Sequence, residues 1–527
     1  FAAAAILKLV VVMSQSDSSR SSELLFEEKD EAFYLSLKKT KDGKFVSVCS
    51  NSKNAAEIRL IDADDMKSEL VLVEARSDGF EYYLDHSNGK LFLLHNGGDS
   101  GPHNFELAAV SAPPLQSFEP DAEAGLQRKN WTRVVAGNDD RIFEDMDVFK
   151  THCALYSRVH GRPLIEVIDT ACDVADLAEC NRKQVERFPT HSESVLLHPG
   201  VNANDEASSL IFSLQSPIDP PSHYHLSLDT MECERLRVES RALRLPNSLT
   251  CYKVNVPSHD GVLVPMTLVH HKDCQLDGPS PTLLRGYGAY GDSIRPEYEA
   301  DTMALLQRGW VVATAHVRGG GELGRRWYNA GKLLQKKNSF HDFLSCAQYL
   351  VDEGLTQPQL LSAEGSSAGG LLVATSMLWR PDLFGAVALR APFVNVLDAM
   401  LDPNRAMTVH EYDEWGNPSA DATTHNYIQS YCPTQLVRRL LRQPTAAEYP
   451  SVLITMDPDD TRVDFNDVAQ FAGHLQRLFE ESPNRGEADH AQVLLHTNGV
   501  RGHSGGGRYV GVCWCTTGVG STILRPL

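Results

Sequence analysis

The sequence predicts an α/β domain with a doubly wound, mostly parallel sheet in its second half, preceded by a domain of small antiparallel sheets. Before about residue 245, short strands with period-two alternation follow one another through tight turns. After it, buried apolar strands alternate with helical stretches, which is the pattern of a parallel sheet covered on both faces. The chain has 527 residues, too many for one ordinary core, so two domains are expected.

Composition and charge are those of a globular protein with an acidic surface. Hydrophobic residues make up 42% and charged residues 22% of the chain, and the net charge is -20. This charge argues against nucleic-acid binding and is compatible with cationic ligands, although solubility is its simpler explanation. The eleven cysteines are scattered from Cys49 to Cys515 without metal-ligand spacing. We therefore predict reduced thiols, a cytoplasmic location and no metal site.

Residues 1–22 are predicted to lie outside the fold. Residues 1–13 are mostly apolar, but they lack the basic start of a secretory signal, and a membrane-spanning helix needs about 20 apolar residues. The chain begins with Phe1, so we expect either that the true start is missing or that translation begins at Met13. The segment is accordingly predicted to be unstructured or spurious, and no membrane partner is expected.

Residues 23–245 predict a partial β-propeller. Strand pairs flank tight turns such as Lys41-Asp42-Gly43 and Asn88-Gly89, the second of which is a strong hairpin signal. They group into successive four-stranded units, each a few tens of residues long and ending near an acidic turn. Radially repeated sheets of this size are typical of a propeller, with an irregular β-sandwich as the alternative. Roughly four to five units are fewer than many propellers contain, so we expect an incomplete one.

Residues 246–509 predict an α/β-hydrolase domain, in which strands and helices alternate after a hairpin around Asp260-Gly261. The predicted helices are Ser339–Glu353, Ala368–Leu378 and Val463–Glu480. The predicted strands are Pro281–Leu284, Trp310–Thr314, Leu360–Leu361, Ala386–Leu389, Ser451–Thr455 and Ala491–Leu495.

A Gly-x-Ser-x-Gly stretch lies in the middle of this domain. It runs from Gly365 to Gly369, follows a short apolar strand and opens a helix. In that context the pattern forms a nucleophile elbow, with Ser367 exposed on a sharp turn. The two glycines are expected because a side chain would clash where the strand and helix backbones approach. Small-residue turns also occur by chance, so the assignment depends on catalytic partners elsewhere.

A serine nucleophile needs a general base and an orienting carboxylate. In this fold an acid and then a histidine follow the serine, on loops after later strands. His503 comes after the last predicted strand in a Gly-rich loop, which makes it the candidate base, with His496 as its competitor. Spacing alone does not choose among the three acids after strand Ser451–Thr455, which are Asp457, Asp459 and Asp460.

Five longer motifs carry a family resemblance. They are GYGAYG at 286–291, HVRGGGELG at 316–324 with Trp327-Tyr328, the elbow, EWGNP at 414–418, and Gly502-His503. With them the chain resembles the prolyl oligopeptidase family of serine peptidases, most closely its oligopeptidase B branch, over residues from about 23 to 509.

The resemblance implies a role for each candidate residue. In the family the catalytic acid lies two residues before an Arg-Val pair, which selects Asp460 to orient His503 beside Ser367. The implied oxyanion hole consists of the Tyr287 hydroxyl and the Ala368 N–H. The implied substrate-binding residues are Glu411, Asp413, Arg462, Glu297 and Tyr290.

Specificity is implied by two acidic residues just before the Trp-Gly-Asn-Pro motif. Oligopeptidase B cleaves after Arg or Lys with two such residues spaced two apart, which correspond here to Glu411 and Asp413. On an extended segment they would share one face and accept a guanidinium or an ammonium group together. Without the resemblance the same stretch would be a solvated acidic turn. Asp413 is one methylene shorter than the glutamate usual in the family.

The chain also departs from the family pattern. Arg295 replaces one of two acids expected at the next subsite, where Glu297 is retained, and Arg285 replaces a usual aromatic. We expect the amino-terminal cap and the first blades of the family to be missing from this sequence. Residues 510–527 form an atypical tail without the pattern of the family's long covering helix.

The sequence therefore predicts a serine oligopeptidase, monomeric or homodimeric, that cuts short basic peptides through an acyl-enzyme without a metal or organic cofactor. Two alternatives stay open. One is a peptidase or esterase of the same fold with other specificity, and the other is a catalytically dead binding or remnant protein.

Overall fold

The computed structural model divides the chain into two compact units. The first unit ends at Val238, and the second contains the chain after it together with two short stretches before it. The described residues are 9–16, 19–65, 68–97, 104–112, 126–185, 188, 194–238, 248–274, 278–405, 407–482, 491–497, 503, 512–517 and 521–526.

Four antiparallel sheets of four strands each make up most of the described part of the first unit. Each sheet is a meander of consecutive strands, and tight turns such as Asn88-Gly89 and His160-Gly161 join some of them. The strands are β3 Tyr34–Lys39, β4 Phe45–Asn51, β5 Ala56–Asp62 and β6 Val71–Glu74; β7 Tyr82–Ser87, β8 Lys90–His95, β9 Glu106–Ser111 and β10 Thr132–Val135; β11 Arg141–Val148, β12 His152–Val159, β13 Arg162–Asp169 and β14 Arg182–Val185; and β15 Leu196–Pro199, β16 Ser209–Gln215, β17 Ser222–Ser227 and β18 Cys233–Val238.

Successive sheets of this unit pack face to face. One apolar core joins Leu60 of the first sheet with Leu93 of the second, and a second core joins Leu94 with Leu155 of the third. A third core joins Tyr156 with Phe212 of the fourth sheet. The two sheets of a sandwich would share one core, whereas here a separate core lies between each neighbouring pair, as between the blades of a propeller.

Two sequence predictions for this unit are wrong. Strand β1 (Leu9–Ser16) pairs with β2 (Ser19–Glu27) in an antiparallel hairpin, so much of the segment expected to be unstructured is ordered backbone. The run of three valines in β1 favours a strand, because branched side chains fit an extended backbone. Cys172 and Cys180 form a disulfide where reduced thiols were expected, and a short 3-10 helix, Val174–Asp176, followed by a turn connects them.

An eight-stranded sheet forms the centre of the second unit, in the order β19-β20-β22-β21-β23-β24-β25-β26. Strand β20 pairs antiparallel with both β19 and β22, and every pair from β22 to β26 is parallel. The strands are β19 Leu249–Pro257, β20 Leu263–His271, β21 Thr282–Arg285, β22 Val311–Ala315, β23 Leu361–Ser366, β24 Ala386–Arg390, β25 Ser451–Met456 and β26 Val493–Thr497.

Helices cover both faces of this sheet. On one face Phe343 and Leu371 pack with Leu284 in the main core, and on the other Met303 and Leu306 pack against the sheet. The sheet is therefore doubly wound, as predicted. The helices are α1 Ala300–Leu306, α2 Arg325–Asn329, α3 Lys337–Asp352, α4 Ala368–Trp379, α5 Val396–Leu401, α6 Thr408–Trp415, α7 Ala422–Tyr431, α8 Pro433–Arg442 and α9 Phe465–Glu480.

The tail contains a second small hairpin. Strand β27 (Val512–Thr517) pairs antiparallel with β28 (Ser521–Pro526). Its described backbone is extended, in keeping with the missing helical pattern. Among the described helices, none combines the length and the apolar composition needed to cross a bilayer.

Candidate active site

Ser367 occupies a sharp turn between β23 and α4. Its φ of 54° and ψ of -119° are sterically costly for a residue with a Cβ. The Ser367 N–H donates to the carbonyl of Arg390 at 2.9 Å, and its own carbonyl accepts from the N–H of Phe393 at 3.0 Å. These two bonds hold the strained conformation of a nucleophile elbow.

The glycines on either side of Ser367 are required by close backbone contacts. A Cβ on Gly365 would lie 2.0 Å from the carbonyl oxygen of Gly369. A Cβ on Gly369 would lie 2.7 Å from the carbonyl oxygen of Gly286. The predicted close approach of strand and helix at the elbow is therefore confirmed.

His503 lies between Ser367 and Asp460. Its Nε2 is 3.1 Å from Ser367 Oγ, and its Nδ1 is 2.8 Å from Asp460 Oδ2 and 3.0 Å from Oδ1. An ionised Asp460 accepts a hydrogen bond from the Nδ1–H group of His503, which leaves Nε2 as an acceptor for the serine hydroxyl. The rest of the Gly-rich loop that carries His503 lies outside the described residues.

Asp460 is held as a carboxylate in a buried position. Its side chain is fully buried, which by itself would raise the pKa. Hydrogen bonds from His503 and from the N–H groups of Val463 and Arg462 outweigh that effect and lower the pKa below its usual value. The aspartate stays ionised at neutral pH and can stabilise a histidinium ion.

The other two acids of this loop have different partners or positions. Asp457 Oδ1 accepts the N–H of Asp459 at 2.9 Å and stabilises the turn, and Asp459 is exposed. The competing histidine, His496, is part of strand β26. Of these candidates, the structure brings Asp460 and His503 to Ser367.

Tyr287 and Ala368 flank the elbow. Ala368 is the buried first residue of α4, and the first N–H groups of a helix have no acceptor within the helix. The Tyr287 ring packs on the same turn, because a Cβ on Gly369 would lie 3.3 Å from its Cδ2. Burial, with the nearby carboxylates of Asp292 and Glu411, raises the Tyr287 pKa. The hydroxyl therefore stays protonated and able to donate a hydrogen bond.

Glu411 and Asp413 do not form the predicted pair on one face. Both lie in helix α6, where positions i and i+2 point in different directions, whereas the prediction assumed an extended segment. Glu411 accepts a hydrogen bond from Trp415 Nε1 at 2.9 Å, and its side chain is also hydrogen-bonded to that of Tyr290. The carboxylate of Glu411 is therefore hydrogen-bonded among the aromatic side chains of Tyr290 and Trp415. Asp413 projects from another side of the helix.

The remaining predicted binding residues differ in their surroundings. Tyr290 is half-buried and packs edge-on against Trp415, with ring centroids 5.7 Å apart. Arg462 is exposed, and its charge is close enough to Tyr287 to oppose the rise in the tyrosine pKa. Glu297 is half-buried in the connection between β21 and α1.

Sequence reasoning missed a buried ion pair beside the site. Lys336 Nζ lies 3.2 Å from Glu414 Oε1 and donates to the carbonyl of Gly288 at 2.6 Å. The Tyr328 hydroxyl donates to the other oxygen of Glu414 at 2.8 Å. This group joins helix α6 to the turn that carries Tyr287. Glu414 and Tyr328 lie in the quoted motifs, but nothing in the spacing indicates Lys336 as their partner.

The described residues can be compared with the usual ligand sets of metal sites. Across these ranges, no group of three or more His, Cys, Asp or Glu side chains is placed so that it could hold a metal ion. The arrangement around Ser367 consists of a nucleophile, a base, an acid and hydrogen-bond donors, which together can perform acyl transfer.

Comparison with family models gives two matches that cover different parts of the chain. Residues 9–239 match the "Prolyl oligopeptidase, N-terminal beta-propeller domain" and residues 296–515 match the "Prolyl oligopeptidase family". The predicted order of a β-propeller followed by an α/β-hydrolase domain is thereby confirmed. The first match includes part of the amino-terminal segment that was expected to be spurious.

Curated relatives and solved structures give the same result. A prolyl endopeptidase-like protein from Xenopus laevis is 32% identical over 92% of this chain and 65% of its own length. Protease 2 from Moraxella lacunata is 32% identical over 92% of this chain and 64% of its own length. Oligopeptidase B from Trypanosoma brucei, solved with covalently bound antipain, superimposes with a TM-score of 0.81 at 29% identity, over 92% of this chain and 64% of its own. The chain thus spans a little under two thirds of the length of these proteins.

Proposed function

The chain belongs to the prolyl oligopeptidase family, and from this membership we propose that it is a serine peptidase that cleaves short peptides after Arg or Lys. The observation that carries the proposal is the hydrogen-bonded chain Ser367–His503–Asp460 at the nucleophile elbow. Short basic peptides are its proposed substrates, and a cytoplasmic location stays a prediction.

The proposed reaction proceeds through an acyl-enzyme. Ser367 Oγ attacks the scissile carbonyl while His503 Nε2 takes its proton, and Asp460 stabilises the resulting imidazolium. The Tyr287 hydroxyl and the Ala368 N–H donate to the oxyanion of the tetrahedral intermediate. His503 then gives its proton to the leaving amine. A water molecule, activated by the same histidine, releases the acid product and restores Ser367.

The proposed preference for Arg and Lys depends on Glu411. Its carboxylate lies near Trp415 and near the half-buried rings of Tyr287 and Tyr290, and these two rings would contact the alkyl part of a long cationic side chain. A carboxylate there would bind the guanidinium or ammonium head. The relatives named protease 2 and oligopeptidase B support this class of substrate by their similarity.

The nucleophile is tested with a fluorophosphonate probe and an arginine-ester reporter. The unmodified protein should be labelled at Ser367 and hydrolyse the ester, and Ser367→Ala should lose both. Ser366→Ala, in the exposed neighbouring serine, is the matched control and should retain labelling. Equal labelling and hydrolysis in Ser367→Ala would refute the proposal. An unlabelled and inactive natural protein would favour the non-catalytic alternative.

A further inference from the structure

A cluster of charged side chains lies at the carboxyl ends of three adjacent parallel strands. Glu364, the residue before the elbow glycine, accepts from Arg285 Nε at 2.8 Å through one carboxylate oxygen. Its other oxygen lies 2.5 Å from Arg390 Nη2. Arg285 ends β21, Glu364 is near the end of β23 and Arg390 ends β24, so one carboxylate joins all three strand ends.

Arg285 also closes the segment that carries the proposed oxyanion and substrate residues. This segment, residues 286–299, begins directly after Arg285 and includes Tyr287. At its other end Glu299 accepts from Arg285 Nη1 at 2.9 Å, and Thr302 in the first turn of α1 accepts from the same nitrogen at 3.0 Å. One guanidinium thus holds both ends of segment 286–299 and fastens them to Glu364.

Each member of the cluster is adjacent to a part of the catalytic site. Arg285 is two residues from Tyr287, Glu364 is three residues from Ser367, and the carbonyl of Arg390 accepts the N–H of Ser367. The Arg285 and Glu364 side chains are 19% and 14% exposed, so solvent screens their interaction only in part. Burial acts to raise the pKa of Glu364, but the two arginines outweigh it and lower the pKa, so the carboxylate stays ionised.

We propose that Arg285 and Glu364 are positioning residues that fix the Tyr287 hydroxyl donor relative to Ser367. The proposal rests on the proposed peptidase function and goes beyond it, because neither residue touches the reacting atoms. A planar guanidinium can donate to two carboxylates and a hydroxyl at once, so an arginine suits a position that holds neighbouring segments together.

The test is a double-mutant cycle with Tyr287→Phe, in which kcat is expressed per fluorophosphonate-titrated active site. A displacement of a catalytic group by about 1 Å can cost about 100-fold in rate. We therefore expect Arg285→Met to lower kcat by about 10-fold or more with KM changed less than about twofold. In the Tyr287→Phe background the same substitution should have almost no further effect, because the donor it positions is gone. Arg285→Lys should restore only part of kcat, and Glu364→Gln should lower it in the same way.

The matched control is Arg141→Met in the first unit. Arg141 also forms a buried pair, with its Nη1 3.1 Å from Glu166, but it lies in another domain. The Arg141→Met substitution should lower the thermal unfolding midpoint of the protein, while kcat per titrated active site stays unchanged. Equal losses from Arg285→Met with and without the Tyr287 hydroxyl would overturn the positioning role.

Hydrogen exchange decides the question even if the natural protein does not hydrolyse peptides, which would count against the proposed function alone. Arg285→Met should speed amide exchange in residues 286–299 and leave the other described segments unchanged. Unchanged protection of that segment would overturn the inference.

Discussion

Tyr287 supplies the side-chain donor of the proposed oxyanion hole, and its loss should act on the transition state. Removing one such donor typically costs about 3 kcal/mol of barrier, which is about 100-fold in rate. We expect Tyr287→Phe to lower kcat for an arginine-amide reporter by about 100-fold with little change in KM, since the donor bonds mainly to the developing oxyanion. A rise in KM at constant kcat would instead assign Tyr287 to ground-state binding.

The pH dependence of kcat/KM, compared between the natural protein and Tyr287→Phe, tests whether the tyrosine donates as a protonated hydroxyl. Burial and nearby carboxylates raise the Tyr287 pKa, so the hydroxyl keeps its proton above the ordinary tyrosine pKa of about 10. The ratio of kcat/KM between the natural protein and Tyr287→Phe should therefore stay constant from about pH 7 to pH 10. A ratio that falls to half near pH 10 would mean that the tyrosine titrates normally.

Glu411 and Asp413 form a matched pair of substitutions on one helix. Glu411→Gln should raise KM for arginine substrates by about 10-fold or more, because it removes the charge that would pair with the guanidinium. Asp413→Asn should change KM only slightly, because α6 points that side chain in another direction. Steady-state kinetics on one Arg reporter compares the two, and equal effects would restore the two-carboxylate pocket.

At individual residues, sequence reasoning succeeded where a local pattern constrains the backbone. The elbow motif requires small residues on both sides of Ser367, so its conformation could be predicted. Spacing alone did not choose Asp460, because three acids occupy one loop. The family resemblance selected it, and the structure places its carboxylate 2.8 Å from His503 Nδ1. The prediction that Asp413 shares a face with Glu411 was wrong, because a helix and an extended segment place residues i and i+2 differently.

The buried pair between helix α6 and the segment before α3 makes a prediction about stability. Removing one partner of a buried ion pair costs about 3–5 kcal/mol, because the other charge is left without compensation. The side chains of Lys336 and Glu414 are 3% and 0% exposed. Lys336→Met would leave the buried carboxylate of Glu414 without a positive partner in this pair. We expect the thermal midpoint of the second unit to fall by about 10 °C in calorimetry.

Two further variants test whether that loss comes from the stranded charge. Lys336→Met combined with Glu414→Leu should recover much of the midpoint, because no buried charge is left unpaired. Lys150→Met breaks an exposed pair with Glu206 and should leave the midpoint unchanged. A double variant no more stable than the single one would contradict the explanation.

Regular elements of the second unit were the easiest to predict. Buried strands and amphipathic helices there have strong periodicity, so the predicted helix Ser339–Glu353 agrees closely with the observed Lys337–Asp352. Strand β23 continues to Ser366, further than its apolar run, because backbone pairing with β24 extends it through the elbow motif. Helix α6 was missed because its eight residues combine charged and aromatic side chains without an apolar stripe.

At the level of the whole molecule, the repeated hairpins predicted the kind of domain better than its extent. Turn signals mark each meander, and the cores between sheets follow from the alternating strands. The hairpin β1–β2 was missed because its apolar run was assessed as a targeting segment rather than as a strand. How much propeller surrounds these four sheets depends on contacts between distant repeats, which local periodicity does not encode.

The net charge of -20 allows a final test that separates substrate attraction from solubility. Long-range attraction between the acidic protein and a cationic peptide would raise the association rate at low salt, where the Debye length is about 30 Å at 0.01 M, and lose effect at about 8 Å in 0.15 M salt. Two peptides with the same Arg at the cleavage site, one with two added lysines and one with two added glutamates, share the local contact with Glu411 and differ only in overall charge. Raising the salt should lower kcat/KM for the first peptide severalfold and raise it for the second. If both values fell equally, screening would act on the local Arg–Glu411 contact alone, and the overall charge would serve solubility.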